Sequence, residues 1–202
     1  MNRSANKRQA MLNAGIAELV ERGLTGASME SIASRAAVSK RTLYKHFPSI
    51  EAVFEAVLAL LVARVEPLGR LRFDPSRPFA VQLRDIAERE MQLICDDSFI
   101  GLSRVLMIEC MHSQERSAQL TTLFREKELG LYRWFGEAHA AGELINMPSQ
   151  LAADLFVGML KSCTYWHAVI GWQTPPDATA QAKIVDEACA MLLARLADLR
   201  AG

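Results

Sequence analysis

Apolar residues along this chain recur at intervals of three and four and almost nowhere in strict alternation, so the pattern predicts helix from end to end. Leu12, Ile16, Leu19 and Val20 give one face to a first helix from near Asn6 to Arg22, and Gly23 stands where a helix ends. Two short helices follow, about 28–35 and 39–46. Ser28 and Ser39 are their N-caps, and Ala36-Ala37-Val38 is the turn between them. Met29, Ile32, Ala33 and Ala36 stripe the first of the pair, and Leu43 and Phe47, an i,i+4 pair, anchor the second. Lys40, Arg41, Tyr44 and Lys45 then project away from that anchor, with His46 at its edge.

Pro48-Ser49 interrupts, and a longer helix spans about 50–65 with Val53, Phe54, Val57, Leu58 and Leu61 inward. The segment from Glu66 to Phe79 holds three prolines and a glycine and reads as a linker. Helices are expected at about 79–96, 99–112 and 117–141, with Gly142 as a stop. One helix then follows Pro148, and a last one, about 178–199, is capped by Asp177. Leu151, Leu155, Met159, Trp166 and Ile170 form one stripe. Ile184, Ala188, Leu192, Leu196 and Leu199 form another. Both helices also carry apolar residues off the stripe, among them Phe156, Leu160, Val169, Val185, Met191 and Leu193, so burial on more than one side is expected there. The expected fold class is all-α. Residues 1–48 form a helix-turn-helix domain, 49–78 a connecting helix and linker, and 79–202 a helical second domain.

Composition changes this picture little, and charge changes it more. Half of the 202 residues are hydrophobic, enough for a core. The run AVLALLVA is too short to cross a bilayer and is ended by Arg64, and the N-terminus has no export-signal pattern, so a cytoplasmic chain with no membrane partner is expected. Cys95, Cys110, Cys163 and Cys189 have no metal-ligand spacing and read as small buried apolar residues. The net charge is zero, yet residues 1–47 hold eight basic residues against three acidic ones, a surplus of five that the rest of the chain offsets. A basic end on an acidic body suits a polyanion at that end only, although a solvated basic face has the same composition.

No HExxH, GxSxG, phosphate-loop or dinucleotide fingerprint is present. Glu109-x-x-His112 has the spacing of a carboxylate-bridged di-iron helix, which is the alternative reading as a metal enzyme. That site needs a second Glu-x-x-His, and Glu137 and His139 have the wrong spacing. No metal and no cofactor is therefore expected. A helical scaffold for protein partners explains the helices but not the cluster SKRTLYKHF.

The block ASMESIASRAAVSKRTLYKHFPSIEAVFEAVL resembles the DNA-binding domain of TetR-family transcriptional regulators. The resemblance is carried by Ser28, Ile32-Ala33, Ala36, Val38-Ser39, Thr42-Leu43-Tyr44, His46-Phe47 and Glu51, and covers about residues 8–62. Two positions depart from the family pattern. Its turn glycine is Ala37 here, and its lysine at the start of the fourth helix is Ile50, which removes one expected phosphate contact. More loosely, RVLMIECMHSQERSAQLTTLF, AAGELI and AADLFVGML resemble one group of TetR-type effector domains.

The resemblance implies a ligand-responsive, sequence-specific DNA-binding regulator, a repressor, whose second short helix enters the major groove of a double-stranded, near-palindromic operator. Arg41 would fork onto guanine, Lys40 would donate to it as a point charge, and Thr42 would meet a thymine methyl or a phosphate. Tyr44 and His46 are implied phosphate ligands, Lys45 serves base or backbone, and Ser28 and Ser39 cap the helix ends that face phosphates. Arg3, Lys7 and Arg8 reach an adjacent groove or add nonspecific attraction. A homodimer through the two C-terminal helices is expected, because a twofold axis sets two reading helices about 34–36 Å apart. A small apolar or aromatic effector is expected among Met107, Met111, Phe124, Trp134, Met159, Cys163, Trp166 and His167. Its binding would tilt the helix at 50–65.

Overall fold

The computed structural model describes residues 3–201, leaving aside the side chains at 3–5, 119, 123–129, 200 and 201. Among the described residues ten α-helices follow one another: α1 (Arg3–Gly26), α2 (Met29–Arg35), α3 (Lys40–His46), α4 (Ile50–Val65), α5 (Phe79–Ile94), α6 (Asp97–His112), α7 (Gln114–Ala140), α8 (Ser149–Cys163), α9 (Tyr165–Val169) and α10 (Ala178–Ala201). A 3-10 turn at Leu68–Arg70 precedes α5, and the described residues include no strand. By packing, the chain divides into two compact units, residues 1–63 with 101–122, and residues 64–100 with 123–202.

In the first unit, Met11, Leu12 and Leu19 of α1, Ile32 and Ala33 of α2, Leu43 of α3 and Val53, Val57 and Leu61 of α4 are buried together as the core. Gly23 interrupts the regular helix where its sequence position predicts a stop, although a short helical turn continues beyond it. It takes φ 64° and ψ 177°, which kinks the helix, and a further turn runs to Gly26. The Leu24 N–H released at that kink donates to Glu109 Oε1 of α6 at 2.8 Å, and Arg116 bonds the other carboxylate oxygen. His112 instead faces its own helix, with Nδ1 2.8 Å from the Ile108 carbonyl. Glu109 is thus a buried helix-end acceptor, and among the described residues no group of three His, Cys, Asp or Glu is placed to hold a metal ion.

The α2–α3 turn closes on Ala37. Val38 N–H donates to the Ala33 carbonyl at 3.0 Å and Ala37 N–H to that of Ser34 at 3.1 Å, with Ala37 left-handed at φ 52°. This double closure favours glycine, and an L-residue there costs about 1–2 kcal/mol. Ala37→Gly relieves that strain at the expense of extra unfolded-state entropy, so the expected net gain is about 1 kcal/mol. The check is chemical denaturation of the two chains, where an unchanged or lowered midpoint would show the turn to be unstrained.

In the second unit, Trp134 of α7 lies within 5.6 Å of the rings of Phe73, Phe79 and Phe135, and Phe135 meets Phe156 of α8 at 6.0 Å. The proline-rich linker is held by Gln82. Its Oε1 accepts from Asp74 N–H at 2.9 Å, and its Nε2 donates to the Asp74 and Arg77 carbonyls at 2.8 and 2.9 Å. Gly130 lets α7 reach the 3-10 turn, where a Cβ would come within 2.1 Å of the Leu68 carbonyl oxygen. Gly142, at φ 84°, closes α7 as its sequence position predicts. The helix after Pro148 is not continuous. Thr164 (φ −138°, ψ −73°) separates α8 from α9, and its hydroxyl bonds back to the Leu160 carbonyl at 2.8 Å.

Candidate nucleic-acid interface

Two serine caps fix the ends of the helix pair. Ser28 Oγ accepts from Ser31 N–H at 3.1 Å, and Ser39 Oγ accepts from Thr42 N–H at 3.1 Å while sharing a 2.8 Å hydroxyl contact with Thr42. Each cap satisfies one of the free N–H groups of a first turn and fixes the direction of the helix. With Leu43 and Phe47 only 0% and 2% exposed, α3 is locked to the core on one side. Its other side is then set by geometry. Lys40, Arg41, Tyr44 and Lys45 are exposed, and Thr42 and His46 are half-buried at the margin. Lys40 Nζ lies 2.6 Å from Glu30 Oε1 of α2, while among the described residues neither Arg41 nor Lys45 has an acidic partner.

Behind this face lies a charge network in which Glu18, the residue that anchors the N-terminus of α2, is one that periodicity does not single out. Its side chain is wholly buried. One oxygen accepts from Ser28 N–H at 3.4 Å and the other from the Ser31 hydroxyl at 2.6 Å, with Arg22 and Arg35 at 3.5 and 3.6 Å. Arg35 also forks onto Glu21 at 2.9 and 2.7 Å. Those bonds hold the Glu21 carboxyl below its ordinary pKa and push the Arg35 guanidinium above its own. Arg22 and Arg35 are therefore ion-pair residues of the scaffold. Arg8 sits over the Phe47 ring at 5.3 Å, and the Arg3 side chain lies outside the described residues.

The expected effector residues are divided between the two units. Met107 is half-buried on α6, and Met111 is 86% exposed at its end. Trp134 is a core residue rather than a lining one, because its large apolar ring is enclosed by three phenylalanines. Trp166 and His167 are exposed on α9, and the Phe124 side chain lies outside the described residues. Met159 and Cys163 do come together, in an apolar groove of about 380 Å³ between α8 and α10, with Ile184, Ala188 and Met191 opposite. Cys163 is thus exposed, unlike buried Cys189, because it lies on the outward stripe of its helix. On α8, Leu151 and Leu155 precede Met159 at four-residue spacing on the same face and, like Met191, are 48–61% exposed.

Comparison with known proteins gives matches in both halves of the chain. Residues 11–57 match the family model described as bacterial regulatory proteins, tetR family. Residues 81–197 match that of the AefR-like transcriptional repressor C-terminal domain. The HTH-type transcriptional regulator UidR of Escherichia coli is 30% identical over 162 residues, which cover 76% of this chain and 79% of that protein. A TetR family transcriptional regulator from Pseudomonas syringae pv. tomato superposes with a TM-score of 0.74 at 31% identity, covering 93% of this chain and 95% of its own. The flavonoid-responsive regulator FrrA superposes at 0.60 with 26% identity, over 95% and 97% of the two chains.

Proposed function

We propose, for a chain that belongs to the TetR family of transcriptional regulators, that it represses by reading a near-palindromic operator through α3 as a homodimer paired by α8 and α10. Members of this family are DNA-binding regulators rather than enzymes, and repression, homodimers and small-molecule response are typical of them. The observation that supports the reading most is the anchored α3. Leu43 and Phe47 are buried, and Lys40, Arg41, Tyr44 and Lys45 stand on the free side. A helix presenting cations at its N-terminal end is what the major groove accepts.

In this reading Arg41 takes guanine O6 and N7, Lys40 adds a point donor, and Tyr44, His46 and Lys45 hold phosphates. Ser28 Oγ accepts from Ser31 N–H, so its hydroxyl hydrogen is left for a phosphate. Dimerisation through α8 and α10 is supported by the exposed apolar residues Leu151, Leu155 and Met191. Apolar side chains gathered on one surface mark an interface. The protein acts in the cytoplasm, where a bacterial operator is found. Its effector is a small apolar or aromatic molecule taken up by the second unit, a choice supported by the flavonoid response in the name of one relative.

The test is Arg41→Ala on a duplex that the wild-type protein selects from a random pool. The expected loss is about 1–3 kcal/mol on that duplex, with relaxed preference at one base pair per half-site. Equal losses on selected and scrambled DNA would give Arg41 a phosphate role instead.

A further inference from the structure

Glu30 is an acidic side chain placed where a DNA-binding face would repel its ligand. It stands in the first turn of α2, 74% exposed, with a carboxylate oxygen 2.6 Å from Lys40 Nζ, itself 58% exposed, at the first position of α3. The Ser28 cap fixes where Glu30 projects, and the Ser39 cap fixes Lys40. The two therefore face each other across the turn that Ala37 closes. Taking the α3-face reading as its premise, we infer that Glu30 is a selectivity residue. It holds the Lys40 ammonium at the entrance of the groove and suppresses binding to DNA of arbitrary sequence.

An unrestrained lysine on a flexible stem reaches any nearby phosphate, and that attraction carries no sequence information. Once paired, Lys40 offers the backbone little net charge. An ammonium has three donors, so a Lys40 that keeps one on Glu30 still has two for base acceptors. Restraint of this kind lowers the cost of ordering a long side chain at a specific site. The pair thus weakens random binding more than operator binding. Arg41 and Lys45, which have no acidic partner among the described residues, supply the general attraction.

The experiment compares wild type, Glu30→Gln, Lys40→Gln and the double variant on two duplexes, one selected by the wild type from a random pool and one scrambled. Affinity is measured across a salt series. Glu30→Gln should tighten scrambled-duplex binding several-fold and steepen its salt dependence by about one phosphate equivalent, a slope change of about 0.9. The ratio of selected to scrambled affinity should fall. In the Lys40→Gln background the same change should leave the slope unaltered. Equal effects in both backgrounds would make Glu30 a general repulsive charge and overturn the proposal, as would an unchanged ratio in Glu30→Gln. Failure of the wild type to select any sequence would bring down the α3 reading and this inference together, whereas normal selection with an inert Glu30→Gln would remove the inference alone.

Discussion

Glu18→Ala should lower the stability of the first unit by about 2–4 kcal/mol. The carboxylate is wholly buried and accepts from Ser28 N–H and the Ser31 hydroxyl. Alanine leaves both donors without their acceptor and adds a small cavity where α1 meets α2. Arg22 and Arg35 are 56% and 36% exposed and can turn to water, so most of the loss comes from the hydrogen bonds rather than from the ion pairs. Urea denaturation is the measurement. DNA binding should fail in step with unfolding, because the same carboxylate fixes the Ser28 end of α2. A loss below about 1 kcal/mol would place Glu18 among ordinary surface residues.

If two chains pair through α8 and α10 as proposed, Leu155→Asp should separate them while leaving the fold of each chain intact. Leu155 is 51% exposed on the outward surface of α8, so the single chain gains no buried charge from the change. In a twofold interface the substitution occurs twice. At about 2 kcal/mol for each copy of a central apolar contact the loss is about 4 kcal/mol, roughly a thousandfold in the dimer dissociation constant. A point change is preferred to removal of α10, whose Val185, Cys189, Leu192 and Leu196 are buried in the second unit itself. Sedimentation should show a monomer with unchanged helical circular dichroism, and operator affinity should fall because each monomer then holds one half-site. A dimer of unaltered affinity would mean that another surface pairs the chains.

The parts of this structure that were legible in the sequence are those set by local chemistry. Serine caps, prolines and the i,i+4 pair of Leu43 and Phe47 act within a few residues, and α2, α3 and α4 lie within a residue or so of where those signals place them. Ala37 is a different case, since its glycine-like turn position was implied by the family resemblance and not by its neighbours. What was hidden depends on distant partners. Glu18 falls on a polar position of its helix, and its acceptor role comes from serines ten and thirteen residues away in sequence. Glu109 serves the kink at Gly23 from eighty-five residues beyond Leu24. The break at Thr164 was invisible because the apolar period runs through it into α9. Effector residues were the least legible. Methionine and tryptophan at helical spacing do not reveal which face is turned inward, and Trp134 and Met111 took opposite environments.

The central claim is that the free side of α3 enters the major groove, and modified DNA tests it at one atom. In the selected duplex, each guanine is replaced in turn by 7-deazaguanine, which lacks the N7 acceptor on the major-groove edge and leaves the Watson–Crick pairing intact. One replacement per half-site should cost the wild-type protein about 1–3 kcal/mol and cost Arg41→Ala almost nothing, because the lost partner is the one Arg41 used. A wild-type protein indifferent to every replacement, or one that loses as much as the variant does, would contradict the account.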